Sequence, residues 1–198
     1  GRLLYEFYSQ ATKRAMRSIR NSASVIKKVY VPKYIYPMAN VTSNFITFLI
    51  SLLVLVFVMG YYLIFTDTAM RLTPYIFLSF VPIIILFVLC VGVGMILCTM
   101  EVFFKDVEYM YEVFCMLLFY ATPIFYDVET LRITNKYAQY ALMANPLYSI
   151  VSMFRDCVLF GRAMNPHHII YSAVFSIVML LVGVLVFYKK QDDFILHI

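Results

Sequence analysis

Charge is missing from two long stretches of this chain. No Asp, Glu, Lys or Arg occurs between Pro37 and Thr66, and none occurs between Leu72 and Met100. A transmembrane helix needs ~20 mostly apolar residues, so each stretch can cross a bilayer with residues to spare. Both stretches also lack the polar face that a long helix shows on the surface of a soluble protein. We therefore expect an integral membrane protein.

Several motifs of enzymes and metal sites are also missing. The chain has no GxxxxGK[ST] phosphate-binding loop, so we expect no ATPase site on it. The four cysteines show no CxxC spacing, which favours buried thiols over disulfides or a metal. His167-His168 has no Cys or carboxylate at metal-ligand spacing, and no Ser and His residues form a recognisable nucleophile arrangement. The sequence therefore predicts neither catalytic residues nor a bound metal or other cofactor.

Five segments are predicted to span the membrane, so the expected fold is an all-α polytopic bundle. These segments are residues 3–24, 40–65, 74–99, 109–125 and 169–188. Gly92 and Gly94 are expected to allow close packing or a bend late in the third segment. Residues 127–168 form a long polar and aromatic stretch with two short helices, near 134–143 and 147–160. Asn145 followed by Pro146 is typical of a helix start.

Cations are concentrated near the start of the chain. Seven of them lie between residues 13 and 33: Lys13, Arg14, Arg17, Arg20, Lys27, Lys28 and Lys33. The positive-inside rule then places the end of the first segment in the cytoplasm. Alternation puts Lys105 and Lys189-Lys190 on the same side, and residues 127–168 outside, where they are predicted to form short re-entrant or gate helices.

Five short motifs follow one another along the chain. They are Lys27-Lys28-Val29-Tyr30-Val31-Pro32-Lys33, Lys105-Asp106-Val107, Thr122-Pro123-Ile124-Phe125-Tyr126, Asn145-Pro146 with Arg155, and Asp192-Asp193-Phe194. In this order they resemble motifs of the permeases of polysaccharide-type ABC exporters, which export O-antigens, capsules and teichoic acids and belong to the type-2 ABC permeases. The second motif resembles that family's Arg-Asp-Val loop, with Lys105 in place of arginine.

The resemblance implies much about the whole assembly. It implies six spans in the complete subunit, so residues 1–198 would be one permease domain that lacks the family's N-terminal interfacial helix and first span. It also implies a homodimeric channel, a separate ABC ATPase that carries ATP and Mg, and a lipid-linked polymer as substrate. We thus expect a multi-pass protein in the cytoplasmic (inner) membrane of a bacterium, in contact with lipids and with no nucleic acid.

Two cytoplasmic segments are expected to receive the motion of the ATPase. The residues that the resemblance assigns to this coupling are Lys27, Lys28, Tyr30, Pro32, Lys33, Tyr34, Lys105 and Asp106. Prolines fix the backbone of the first segment, and its tyrosines can fill a groove on a partner. The alternative is that these aromatic residues and lysines only anchor the chain at the membrane interface.

The first segment carries cations at membrane depth. Lys13, Arg17 and Arg20 repeat at i, i+4 and i+7, which places them on one helix face. A charge facing lipid costs ~2.5–3.5 kcal/mol, so we expect these groups to face water or to pair with acids. With Arg14 they form a hypothetical cationic stripe along the path of an anionic polymer such as a teichoic acid. The alternative is snorkelling to the cytoplasmic interface.

Other residues are assigned to the substrate path or to an outer gate. Tyr5, Tyr8, Tyr120 and Tyr126 can stack on sugar or polyol surfaces, although a membrane-interface belt of aromatic residues is an alternative. The resemblance assigns Asn145, Pro146 and Arg155 to the outer gate. Glu112 is interpreted as the one acid within a span, and it is expected to reach water or to pair with Lys105. Glu101, Asp106 and Glu108 are predicted to form an ion-paired loop around the same lysine.

The preferred function is the membrane subunit of an ATP-driven exporter of a lipid-linked cell-surface polymer. An exporter of drugs or small lipids is an alternative from the same broad class. An intramembrane glycosyl- or phosphotransferase is a third possibility, and it would need acids or histidines clustered at one leaflet. A purely structural scaffold would leave the cations at membrane depth unexplained.

Overall fold

The structure, a computed structural model, describes residues 1–28, 31–65, 78–122, 145–162 and 164–194. Every regular element in those ranges is a helix, which confirms the all-helical prediction. The α-helices are α1 (Arg2–Met16), α2 (Ser18–Asn21), α3 (Ala23–Ile26), α4 (Ile35–Phe65), α5 (Phe80–Phe103), α6 (Val107–Ala121), α7 (Pro146–Arg155) and α8 (Pro166–Lys190). A π-helical segment, Asp156–Phe160, follows α7 directly.

Within the described ranges, three helices are long and apolar enough to cross a membrane. They are α4 over Ile35–Tyr61, α5 over Phe80–Phe103 and α8 over Pro166–Lys190. Helices α1 and α6 have 15 residues each, or about 22 Å at ~1.5 Å per residue, which is less than a hydrocarbon core of ~30 Å. Spanning by these two helices therefore stays a prediction. The predicted helix near 134–143 lies outside the described residues.

Several helix boundaries differ from the predicted ones. Helix α4 begins at Ile35, five residues early, because proline is tolerated in a first turn and Pro37 needs no N–H donor there. Helix α5 continues to Phe103, so Glu101, predicted in a loop, lies in its last turn. The predicted first helix is interrupted at Arg17 and at Ser22, where ψ is −4° and 9° instead of the usual value near −42°.

Asparagine followed by proline starts two helices. The Asn145 side chain accepts a hydrogen bond from the backbone N–H of Leu147 at 3.0 Å, which confirms the predicted helix start. Asn165 does the same for His167 at 3.1 Å and starts α8 three residues before the predicted position. Each asparagine satisfies an N–H group that a helix terminus would otherwise leave unpaired, while proline has none to satisfy.

Helix α5 is the centre of the bundle, and glycines set its closest contacts. It packs most extensively on α8, where a Cβ on Gly183 would lie 2.4 Å from the Gly92 carbonyl oxygen. On α1, a Cβ on Gly94 would lie 2.9 Å from the Ala15 Cβ. These distances confirm that Gly92 and Gly94 serve close packing, by which small residues let membrane helices approach.

Phe194 joins three parts of the chain at one end of the bundle. It is fully buried, with its ring 5.3 Å from that of Phe187 in α8 and 6.0 Å from that of Phe103 in α5. Lys33, just before α4, places its Nζ 5.8 Å from the same ring centroid. The Lys33 side chain also donates a hydrogen bond to the Gln191 backbone carbonyl. This end of the bundle is the one predicted to be cytoplasmic.

Candidate functional site

Five charged side chains from α1–α2, α5 and α6 meet at this end of the bundle. Arg17 lies 2.5 Å from Glu108 and 3.2 Å from Glu112. Arg20 lies 2.7 Å from Glu108 and 3.0 Å from Glu101. We call these five residues the Arg–Glu cluster. It links the C-terminal end of α1–α2 to the last turn of α5 and the first turns of α6.

The cluster corrects the predicted partners of the acids. Glu112 and Glu108 pair with arginines, whereas Lys105 and Asp106 are exposed in the turn before α6. The reason is geometric: acids four residues apart share a helix face, and on α6 that face is turned toward the arginines. The interpretation of Glu112 as the one acid within a span is also wrong, since Glu101 lies inside α5.

Burial differs strongly between members of the cluster. The Glu101 side chain is 1% exposed and that of its partner Arg20 is 42% exposed. Both Glu101 oxygens lack an aligned hydrogen bond within the described residues, so Arg20 offsets the charge of Glu101 by proximity alone. By contrast, the hydrogen bond from Arg20 lowers the pKa of Glu108, and the charge of Arg17 acts in the same direction. The buried carboxylate thus depends on one arginine, while Glu108 is held by two.

The predicted cationic stripe divides into two halves. Arg17 and Arg20 pair with acids, which is one of the two environments expected for them. Lys13 is half-buried and Arg14 is exposed, and neither forms an ion pair with a residue in the described ranges. Both lie on the outward face of α1, which also carries Glu6 and Gln10. Whether this face borders a substrate path stays a prediction.

The predicted path tyrosines have different environments. The Tyr5 hydroxyl donates to the Cys115 carbonyl and thereby ties α1 to α6. Tyr8 is buried, and nearby the Tyr111 hydroxyl donates to Thr12 at 2.8 Å. Tyr120 is exposed at the far end of α6, and Tyr126 lies outside the described residues. Tyr5 and Tyr8 therefore belong to helix contacts, and Tyr120 is the exposed ring of the three described tyrosines.

The predicted outer-gate residues lie around α7. The Asn145 side chain donates to Thr122 at 3.1 Å and so joins the start of α7 to the end of α6. Asn145 and Pro146 also line a mostly apolar pocket of about 380 Å³, whose wall includes Tyr8 and Tyr111. Arg155 is the last residue of α7. This position fits a connecting element between α6 and α8, and the gating role stays a prediction.

Most of the predicted coupling residues are on the surface. Lys27, Lys28, Pro32 and Tyr34 are exposed, as are Lys105 and Asp106. Lys33 is half-buried because it contacts Gln191 and Phe194. Tyr30 lies outside the described residues. The exposed members form two segments of the chain. Arg20 lies near the first segment in sequence and Glu108 near the second, and the two residues form an ion pair within the Arg–Glu cluster.

A polar pocket between α1 and α4 was not predicted. Its polar residues are Glu6, Gln10, Asn44, Thr47 and Ser51. The signal available in the sequence was the spacing of 44, 47 and 51, which places three polar side chains on one face of the helix. The described part of the chain holds no group of three or more residues able to bind a metal. Its four cysteines are buried thiols, as predicted.

Comparison with known proteins identifies relatives over nearly the whole chain. Residues 6–159 match the family described as ABC-2 type transporter. Two proteins named O-antigen export system permease protein RfbA, both from Klebsiella pneumoniae, are 29% and 28% identical, each over 95% of this chain and 69% of the relative. A protein of the same name from Myxococcus xanthus is 24% identical over 98% of this chain and 72% of its own length. The family match includes the whole Arg–Glu cluster.

Proposed function

Because the chain belongs to the ABC-2 type transporter family and is a membrane permease subunit, we propose that it serves an ATP-driven exporter of a lipid-linked polysaccharide or teichoic acid. The relatives named as O-antigen export permeases support this substrate class. The exporter acts in the cytoplasmic membrane of a bacterium. Two copies of the subunit form the path, and the polymer passes between them.

ATP hydrolysis belongs to a separate ABC ATPase chain. This sequence contains no phosphate-binding loop that could hold ATP and Mg. The ATPase docks on the exposed segments around Lys27–Lys28 and Lys105–Asp106, and Pro32 and Tyr34 shape the first of them. Rigid backbone at Pro32 lets a push on this segment move α4 instead of bending the turn.

The Arg–Glu cluster is the observation that supports this coupling most directly. Arg20 lies seven residues before Lys27, and Glu108 lies two residues after Asp106. Their 2.7 Å ion pair therefore connects the two docking segments. A motor that displaces one segment must displace or break its link to the other. The cluster thus gives the motor a path to α1, α5 and α6 together.

The substrate path uses cations and aromatic rings. Lys13 and Arg14 attract an anionic polymer, and Tyr120 and Tyr126 offer ring faces on which sugars or polyols slide. Neutralising Lys13 and Arg14 together, which leaves the Arg–Glu cluster intact, should impair export of an anionic polymer more than export of a neutral one. Equal impairment in two strains that differ in polymer charge would remove the cationic stripe from the proposal.

The coupling proposal is tested with the permease and its ATPase purified together. Replacing Tyr30 and Pro32 by alanine should leave ATP hydrolysis in the complex and abolish display of polymer on the cell surface. Normal surface display by this variant would contradict the coupling role.

Deleting the permease gene should trap polymer in the cytoplasm. Unchanged surface polymer together with sensitivity to small hydrophobic compounds would point instead to a drug or small-lipid exporter.

A further inference from the structure

The polar pocket between α1 and α4 is lined mostly by polar side chains. Its volume is about 180 Å³, enough for roughly six water molecules at ~30 Å³ each. Five of its lining residues are polar, and they are Glu6, Gln10, Asn44, Thr47 and Ser51. We call it the α1–α4 pocket.

The pocket lies deep in a predicted membrane span. Helix α4 crosses from Ile35, so Asn44 lies about 14 Å and Ser51 about 24 Å along its axis. Polar and ionisable side chains at such depth are costly toward lipid, and they mark water-filled paths or binding sites. Glu6 is the ionisable group of the pocket, and it is exposed on α1. A polar occupant therefore suits this place better than a lipid chain.

Acceptors outnumber free donors in the pocket. Thr47 and Ser51 each donate to the backbone carbonyl four residues earlier, at 3.2 and 3.1 Å, and keep their oxygen lone pairs. Asn44, only 4% exposed, donates to the Asn40 carbonyl at 2.8 Å and keeps its carboxamide oxygen. Gln10 donates to Glu6 at 3.3 Å, which leaves the second carboxylate oxygen available. Such a set favours a ligand with many hydroxyl donors and disfavours a phosphate.

The remaining wall is aromatic. Phe7 of α1 and Phe48 of α4 both line the pocket, with their rings stacked at a centroid distance of 4.8 Å. Sugars and polyols carry C–H groups that pack on apolar walls as well as hydroxyls that bind acceptors.

We propose that the α1–α4 pocket binds one sugar or polyol unit of the exported polymer, with Glu6 as its main hydrogen-bond acceptor. The proposal rests on the proposed export function, because that function supplies the hydroxyl-rich ligand. Glu6 holds hydroxyls of the unit, Asn44 and Thr47 accept from others, and Phe48 packs on its C–H groups. The pocket is thus a binding site for the polymer on α1 and α4, and it shares no residue with the Arg–Glu cluster.

Cysteine protection tests the proposal on the complete permease with its ATPase in lipid nanodiscs. Thr47→Cys places a thiol at the pocket, and Ile46→Cys places one at the next, equally accessible position outside it. The four native cysteines are buried, which keeps background labelling low. The probe is a positively charged thiosulfonate, used with and without polymer that mild acid has released from the cells' own lipid carrier.

We expect Thr47→Cys to react much faster than Ile46→Cys, and we expect the polymer to slow only the Thr47→Cys reaction. Adding Glu6→Gln should weaken that protection about tenfold, the usual effect of losing a hydrogen bond to a charged group. Ser51→Ala provides a second variant in case Glu6→Gln does not assemble with the ATPase.

Two outcomes would overturn the pocket proposal. One is equally slow labelling at positions 46 and 47, and the other is labelling of Thr47→Cys that the polymer leaves unchanged. Surface display of polymer in the same strains keeps the two proposals apart. Normal export without protection removes the pocket alone, whereas polymer that reaches the surface in the deletion strain removes the exporter itself.

Discussion

Helix α5 contacts its neighbours in two different ways, and we call each kind of contact a joint. The two joints should respond differently when the helices are separated. Where it crosses α8, backbone meets backbone at Gly92 and Gly183, with no room for a methyl group. Where its last turn meets α2 and the start of α6, the contact passes through Glu101 and the long side chains of Arg20 and Glu108. The first joint is held by packing, and the second by charges of which most can reach water.

The difference identifies which joint can open cheaply. Separating helices that touch at the backbone removes dispersion contacts and leaves a void, because packed interiors deform little. Separating exposed ion pairs costs only ~0–1 kcal/mol each, because water takes over both charges. Glu101 is the exception, since it is buried and would lose its counter-charge. We therefore predict that the proposed ATPase moves α6 relative to the closely packed helices α1, α5 and α8.

The largest effect is expected from a methyl group at the fixed joint. Gly183→Ala places a Cβ 2.4 Å from the Gly92 carbonyl oxygen. This oxygen belongs to the backbone, so no change of side-chain rotamer can relieve the clash. We expect a loss of about 2 kcal/mol or more in the free energy of unfolding, since overpacking outweighs the gain in helix propensity. Thermal unfolding of the purified subunit in detergent measures this loss.

Gly60→Ala is the matched control for that change. It is also a helical glycine, but nothing lies within 4 Å of its added Cβ. The substitution should therefore leave stability unchanged or raise it by up to about 1 kcal/mol. Equal destabilisation by the two substitutions would show that the crossing of α5 and α8 is not the tight joint.

The next effect concerns the charged joint. Arg20→Ala removes the counter-charge of the buried Glu101 and one of the two partners of Glu108. We expect a loss of about 1–3 kcal/mol, less than for a fully buried pair because Arg20 is half-exposed. Adding Glu101→Gln should restore part of the loss, since the buried charge is then gone. Chemical or thermal unfolding of the single and double variants measures the loss caused by Arg20→Ala and the part of it that Glu101→Gln restores.

Arg14→Ala is the control for Arg20→Ala. Arg14 is exposed and forms no ion pair within the described part of the chain, so its removal should change stability by no more than about 0.5 kcal/mol. If Arg14→Ala and Arg20→Ala destabilise equally, the loss reflects charge on α1 in general. The special role of Glu101 in the charged joint would then be wrong.

The sequence predicted the elements of this bundle better than it predicted their contacts. Apolar runs are local patterns, so α4, α5 and α8 were found, and Asn145-Pro146 marked the start of α7 correctly. The tight packing at Gly92 was also foreseeable, because a glycine in an apolar helix has few other uses. The partner Gly183 lies about ninety residues away in the sequence and carried no such signal.

The charged joint shows where sequence reasoning stops. Lys105 is the cation nearest in sequence to Glu108 and Glu112, and it was the natural partner to expect. The real partners, Arg17 and Arg20, lie some ninety residues earlier and meet the acids only because α1 and α6 both pack on α5. The α1–α4 pocket escaped notice for the same reason, since each helix contributes only part of its polar lining.

The smallest expected effect is a pH dependence that belongs to the charged joint alone. The pKa of Glu108 is lowered in the folded protein by the hydrogen bond from Arg20. A lowered pKa contributes stability above the unfolded value, here near 4.5, and that stability is lost as pH falls through the folded value. The unfolding midpoint should therefore fall as the pH is lowered below about 5, and it should fall less in Glu108→Gln.

Gly183→Ala, which leaves the Glu108 carboxylate intact, should show the same dependence of the midpoint on pH as the wild type. Identical slopes for wild type and Glu108→Gln would mean that Glu108 does not hold the joint, and that Arg17 and Arg20 act through Glu101 and Glu112.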